Sequence, residues 1–305
     1  MLHNEFMDAG FYFLFFPVVF LYGICIGSFL NVVIYRLPRG ESLVKRASHC
    51  TTCGAKIRII DIIPIVSWVF ILHGKCRSCG EKISSRYPIV EALNGVVYVV
   101  TFLVMDFNLK SVLYCLFFSL LICLAFIDYD TMEMDLVLLG LIAVLAIPLI
   151  VLCLLPQETL YRLPDFLRDA VEDDTVWDHL IGLVCVGVPF FLIGEATGPI
   201  ARKFFGMEDI RRGIELGDTL IMAAGGLLIG WKACVVSMFF GLIIASVWGI
   251  INKHSSGESK FAFGPALAAG LFLGALFGEP IMDWYIGILT YDPEAVQSIA
   301  QVARF

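Results

Sequence analysis

The run LVLLGLIAVLAIPLIVLCLL, residues 136–155, contains twenty residues and not one charge. At about 1.5 Å per residue, such a run crosses the roughly 30 Å of bilayer hydrocarbon as a single helix. Lipid offers no partner for exposed backbone groups, so the helix is obligatory. Comparable apolar runs recur, giving eight expected spans at roughly 10–35, 87–105, 109–127, 136–155, 179–198, 218–231, 233–252 and 261–278. The sixth is short and glycine-rich (AAGGLLIG), the pattern of a helix packed closely against neighbours. A mean hydropathy of +0.87 with 16% charged residues excludes a soluble globule. The expected fold is an all-α polytopic membrane protein of about eight transmembrane helices. The N-terminal MLHNEFMDAGFYFLFF lacks a basic segment and carries Glu5 and Asp8. It reads as the start of a retained span rather than a signal peptide.

The positive charges orient the chain. With the N-terminus outside, the loops at 36–86, 199–217 and 253–260 face the cytosol and hold ten, four and two of the 21 Lys/Arg. That excess on one side is the usual topological bias. The acidic loop around RDAVEDDTVWD (168–178) and the tail after Glu279 then face outward. Within that loop, YRLPDFLRDAV has apolar residues at helical spacing, as an amphipathic turn at the outer leaflet does. The formal charge of −7 conceals this split. The basic residues are dispersed and accounted for by topology, so no nucleic-acid partner is expected.

Cys50, Cys53, Cys76 and Cys79 form two C-x2-C pairs separated by 22 residues. Each pair can present two thiolates from one knuckle, and two knuckles close a tetrahedron around Zn²⁺. On the cytosolic side thiols stay reduced, which favours a metal over two disulfides or four idle thiols. Four thiolates leave no open position, so such a zinc is structural. The other six cysteines lie singly in apolar spans and read as packing residues. Between the knuckles, IIDIIPIVSWVFILHG is apolar, short for a span and interrupted by Pro64, which places it along the membrane surface.

Carboxylates at the edge of hydrocarbon are expensive and point to function. Asp128 ends the third span in IDYDTMEMD, and Asp218 opens the sixth in ELGDTLIMAAGG. Both are expected at the cytosolic face, on different helices at one depth. A pair of carboxylates sharing one proton is the apparatus of aspartic proteases. One member takes a proton from water while the other polarises the scissile carbonyl. Gly217 permits a close backbone approach beside Asp218. Asp130, Glu133 and Asp135 read as solvated loop acids. The blander alternative is that all these acids cap helix ends in water.

Three stretches together resemble a known family. They are GSFLNVVIYRLPRGES (27–42), the cysteine segment from Ser48 to Gly95, and the two aspartate motifs, with FGPALA (263–268) as a further match. They closely resemble the bacterial type IV prepilin peptidases, from about residue 20 to 270. The resemblance implies an integral-membrane aspartic endopeptidase of the G-x-G-D type. Such enzymes remove the basic leader of prepilins or pseudopilins after a glycine, at the cytosolic face of the bacterial inner membrane. It also implies N-methylation of the new terminus with S-adenosylmethionine. Asp128 and Asp218 match the family's catalytic aspartates, and Gly264 with Pro265 its FGP segment. The implied domains are the first transmembrane helix (10–35), a cytosolic zinc-binding domain (36–86), a transmembrane protease core (87–278) and an extracytoplasmic tail (279–305).

This chain departs from the family pattern at three places. The family's G-x-G-D-x-K has Glu215 for the first glycine and Leu220 for the lysine, and its usual proline near the end of the first motif is Asp135. Losing a cation and gaining an anion beside the pair would alter its pH range. Glu215, Asp130, Glu133 and Asp135 would also form an acidic rim for a basic leader. These changes support a second reading, a non-catalytic membrane assembly or binding module that retains the fold and the zinc clamp. Retention of both aspartates opposes it. A transporter is a third reading, disfavoured because transporter sites gather at the bilayer midplane.

Overall fold

The computed structural model describes residues 9–44, 48–205, 214–256 and 262–290. Among these, backbone pairing is almost wholly helical, and β structure is limited to two isolated bridges. Seven helices are long and apolar enough to cross a membrane: Tyr12–Arg39, Arg86–Val104, Leu109–Thr131, Leu136–Cys153, Val176–Ile200, Leu216–Asn252 and Gly264–Thr290. The difference from eight lies at Gly230, whose φ of 81° and ψ of 167° interrupt the long helix Leu216–Ser256. In a straight helix Met222 and Cys234 would stand about 18 Å apart. Instead Cys234 Sγ lies 3.6 Å from the Met222 carbonyl. The run therefore folds back on itself, and its two arms are the expected sixth and seventh spans.

The chain divides into two compact units, Met1–Asp106 and Phe107–Phe305. In the first, helices α1 (Ala9–Arg36) and α2 (Arg86–Val104) touch backbone to backbone. A Cβ on Gly23 would lie 2.8 Å from Gly95 Cα, and one on Gly27 2.8 Å from Glu91 Cα. Such glycine contacts give membrane helices their close approach. The Asn94 amide donates to the Gly23 carbonyl at 2.7 Å and the Asn31 amide to the Tyr87 carbonyl at 3.1 Å.

The second unit is built around α3 (Leu109–Thr131), started by a capping box between Asn108 and Ser111. It is the most enclosed span, with 72% of its apolar window buried. Its Phe118 meets Phe272 edge to face at 4.8 Å. Helices α4 (Leu136–Leu145) and α5 (Ile147–Cys153) share one span, divided where Pro148 removes a backbone donor. The loop after α5 forms two short turns, α6 (Gln157–Leu160) and α7 (Asp165–Arg168), with Leu160, Ala170 and Val171 buried. Helices α8 (Val176–Cys185) and α9 (Gly187–Phe205) make the fifth span, followed by α10 (Leu216–Ser256) and α11 (Gly264–Thr290). The last helix runs past the expected edge at 278, because IMDWYIGILT continues the apolar pattern through Pro280. Glycine again sets the packing: a Cβ on Gly270 would lie 2.7 Å from Gly241 Cα.

At the N-terminal end of α3 lies a network of paired charges. Lys110 Nζ reaches Asp174 at 2.9 Å and Glu279 at 3.4 Å, and Lys232 Nζ reaches Asp283 at 2.6 Å. The Trp231 indole donates to Asp178 at 2.9 Å. Five basic residues of the expected cytosolic loops (Lys45, Arg46, Arg211, Arg212 and Lys260) lie outside the described residues, as do Glu5, Asp8 and the tail beyond Thr290.

Candidate active site and metal centre

Asp128 sits in the last turn of α3, whose C-cap Met132 takes a left-handed φ of 54°. Asp218 sits in the first turn of α10. Both are buried, each only 6% exposed. One oxygen of Asp128 accepts a hydrogen bond from the Gly264 N–H at 2.8 Å, at the start of α11. Asp218 accepts one from the Glu215 N–H at 3.3 Å. The charge of Asp128 acts on Asp218, so the two carboxylates lie within Coulombic reach. Neither forms an ion pair among the described residues. Three helix ends thus bring together residues 90 and 136 positions away from Asp128.

Met134 is the wedge that joins them. A Cβ on Gly217 would lie 2.8 Å from Met134 Cβ, and one on Gly264 would lie 2.6 Å from Asp128 Oδ2 and 2.8 Å from Met134 Cε. Both glycines are therefore required by space. Pro265 follows Gly264 in the first turn of α11, where its missing N–H leaves no bond unmade. Neither Met134 nor the donor role of the Gly264 N–H carries a signal in the local sequence.

Of the remaining acids, Glu215 is exposed and its charge reaches both Asp128 and Asp218. Asp130 and Glu133 are exposed. Asp135, in the place of the family's proline, caps α4 by accepting from the Val137 and Leu138 N–H groups at 2.8 and 3.1 Å. Its side chain is occupied by that helix start rather than by an acidic rim.

In the first unit, the four cysteine sulfurs lie within 4.8 Å of one another. Two matching turns produce this. Gly54 N–H donates to the Cys50 carbonyl at 2.9 Å, and Gly80 N–H to the Cys76 carbonyl at 2.9 Å. Each glycine takes a left-handed φ, 71° and 74°, that other residues resist. Cys50 and Cys79 sulfurs stand 4.0 Å apart, close to the edge of about 3.8 Å that a tetrahedron with 2.3 Å metal–sulfur bonds requires. The Cys53 and Thr52 N–H groups draw Cys50 down to about 6. Although the Glu81 N–H donates to it, Cys79 is pushed up to about 12 by burial and by the three neighbouring sulfurs. Thiols this close cannot all ionise without a cation, so the group could hold a metal ion.

Beside the knuckles, the first unit has an open cavity of about 410 Å³, lined among others by Asn31, Tyr35, Trp68, Arg77, Tyr87 and Glu91. That volume lies within the range of small-molecule sites. Its lining is of mixed charge, with Arg36, Lys56 and Lys82 beside Glu91 and the paired Asp61 and Arg77, and its aromatic faces suit a flat ring.

The bacterial peptidase A24 N-terminal domain matches residues 21–105, nearly the whole described part of the first unit. Curated relatives cover most of the chain. A type 4 prepilin-like proteins leader peptide-processing enzyme of Escherichia coli is 30% identical over 84% of this chain and 93% of its own length. A prepilin leader peptidase/N-methyltransferase of Neisseria gonorrhoeae is 31% identical over 82% and 86%. One of Aeromonas salmonicida is 28% identical over 90% and 95%. No solved structure matches.

Proposed function

Because this chain belongs to the prepilin leader peptidase/N-methyltransferase family, we propose that it cuts its substrate with the paired carboxylates of Asp128 and Asp218. It is a multi-pass membrane enzyme that processes prepilin leader peptides and methylates its substrate. The observation that carries the catalytic reading is the pair itself. Two buried acids from different helix ends lie within Coulombic reach and form no ion pair among the described residues.

In the reaction, one carboxylate takes a proton from water as the water oxygen attacks the scissile carbonyl carbon. The protonated partner donates to the carbonyl oxygen, and the pair returns a proton to the leaving nitrogen as the C–N bond breaks. The Gly264 N–H holds one oxygen of Asp128, which fixes how that carboxylate is aimed. The distribution of Lys and Arg supports an extracytoplasmic N-terminus, with the pair facing the cytosol across the inner membrane.

Zn²⁺ is the metal that fits four thiolates in two knuckles, and it would hold the loop in shape. S-adenosylmethionine is the methyl donor, and its sulfonium carries the methyl group. The cavity beside the knuckles would hold it, with Tyr35, Trp68 and Tyr87 offering ring faces and Glu91 a carboxylate. Equilibrium binding of radiolabelled donor, lost in Trp68→Ala but not in Asp218→Asn, would support that placement.

The test of function is to mix the purified protein with a prepilin and weigh the products. Cleavage after a glycine, lost in Asp218→Asn, supports the protease reading. A gain of one methylene on the new N-terminus, only with donor present, supports the transferase. An uncut substrate across pH and several prepilins would contradict the first.

A further inference from the structure

The segment between the knuckles is apolar on its outside. Ile60, Ile62, Ile63, Val66, Val69 and Phe70 are exposed, Phe70 by 72%. Six such side chains facing water over eleven residues would be an unusual liability. The segment is also rigidly held. The Ile65 N–H donates to Glu91 at 2.7 Å, and the Trp68 indole to the Ile83 carbonyl at 3.2 Å. Ile65 takes a φ of 59°, a conformation that a β-branched residue adopts only when its surroundings impose it.

Glu91 fixes the depth. It lies five residues inside the spanning helix that begins at Arg86, about 7.5 Å along its axis. A backbone group bonded to it lies at the level of the second turn of a membrane helix. Ile89 and Leu93, which bracket Glu91 on that helix, are also exposed, as apolar side chains of a spanning helix at this level are when they face lipid. The segment's own polar groups are met internally. Ser67 and Val69 N–H donate to the Ile63 and Ile65 carbonyls at 3.0 Å, and Leu72 N–H to the Ser67 carbonyl at 2.7 Å. The one acid in the segment, Asp61, pairs with Arg77 at 2.5 Å, and that guanidinium holds it below the usual carboxylate range. Lys56, Arg58 and Lys75 flank the segment and are exposed.

The geometry points to this segment as an interfacial anchor, sunk into one leaflet, whose flanking cations bind anionic phospholipid headgroups. Apolar side chains enter the acyl boundary while Lys and Arg stay at the phosphates. Irregular backbone is tolerated there because its hydrogen bonds are already made.

The test places a diazirine amino acid at Phe70 in the full-length protein, in nanodiscs of phosphatidylethanolamine and phosphatidylglycerol. Positions 93 and 78 serve as lipid and aqueous controls. Lipid adducts at position 70 as readily as at 93 are expected, with metal content unchanged as the check on folding. Lys56→Gln and Arg58→Gln should each lower the phosphatidylglycerol share of adducts by about fivefold. Water-quenched product as at 78, or adducts only to added prepilin, would overturn the anchor. An unchanged phosphatidylglycerol share would overturn the headgroup contact.

Discussion

The two ends of helix α3 treat charge in opposite ways. Near its start, Lys110 is held between Asp174 and Glu279, and Lys232 answers Asp283 nearby. Eighteen residues on, about 27 Å along the axis, Asp128 is buried within reach of Asp218 with no ion pair among the described residues. Buried charges that serve structure are paired, since an unpaired one is costly. A fold that matches its acids at one end and leaves two unmatched at the other supports the proposal that the second set is held for chemistry. The comparison separates paired acids from unpaired ones, although both sit at helix ends and both look alike in sequence.

The largest expected effect breaks the reactive end. Asp128→Asn or Asp218→Asn should lower the cleavage rate by about 10³-fold or more, read by mass spectrometry of the products. Thermal stability should be unchanged or higher, because an unmatched buried charge is removed. Methylation of a peptide already cut should survive. Next, Gly264→Ala drives a Cβ to within 2.6 Å of Asp128 Oδ2. Relieving that contact takes a shift of about 1 Å, which should cost about 100-fold in kcat, with little change in KM.

Lys110→Met tests the other end and should give the reverse result. It removes the cation held between Asp174 and Glu279 and should destabilise by about 3 kcal/mol, lowering the thermal transition while the folded fraction cleaves normally. Cys50→Ser removes one of the four proposed metal ligands. Bound zinc, measured by elemental mass spectrometry, should fall from one equivalent per chain towards zero. The smallest effect sharpens the comparison. Glu215→Gln removes an exposed charge beside the pair and should raise KM for a basic leader by about two- to fivefold, less so at high salt.

Much of this was legible from residue spacing. The cysteine pattern announced a four-sulfur cluster because two knuckles are local structures, each closed within a few residues. The apolar runs announced the spans, since length and hydropathy suffice for that. What spacing could not show was contact between distant segments. Met134 wedges between Gly217 and Gly264, and nothing in MEMD indicates it. Gly264 was expected near the site by resemblance, but its N–H bond to Asp128 is a product of where α11 starts. The division of the fourth span at Pro148 was hidden, and the break expected between the sixth and seventh spans gave no sign that Gly230, rather than Gly225 or Gly226, makes it. The lysine pairs draw residues 64, 169 and 51 positions apart, so the charged end of α3 could not be seen at all. Asp135 looked like a loop acid and proved to be a helix cap, because capping depends on where the following helix begins.

The most direct measurement is the cleavage rate of Asp128→Asn, Asp218→Asn and the double variant, against one prepilin and with equal folded fractions. If the carboxylates act as one pair, either single change should cost as much as both together. Residual cleavage in one single variant, with losses that multiply in the double, would mean that the two acids act independently and would contradict the account.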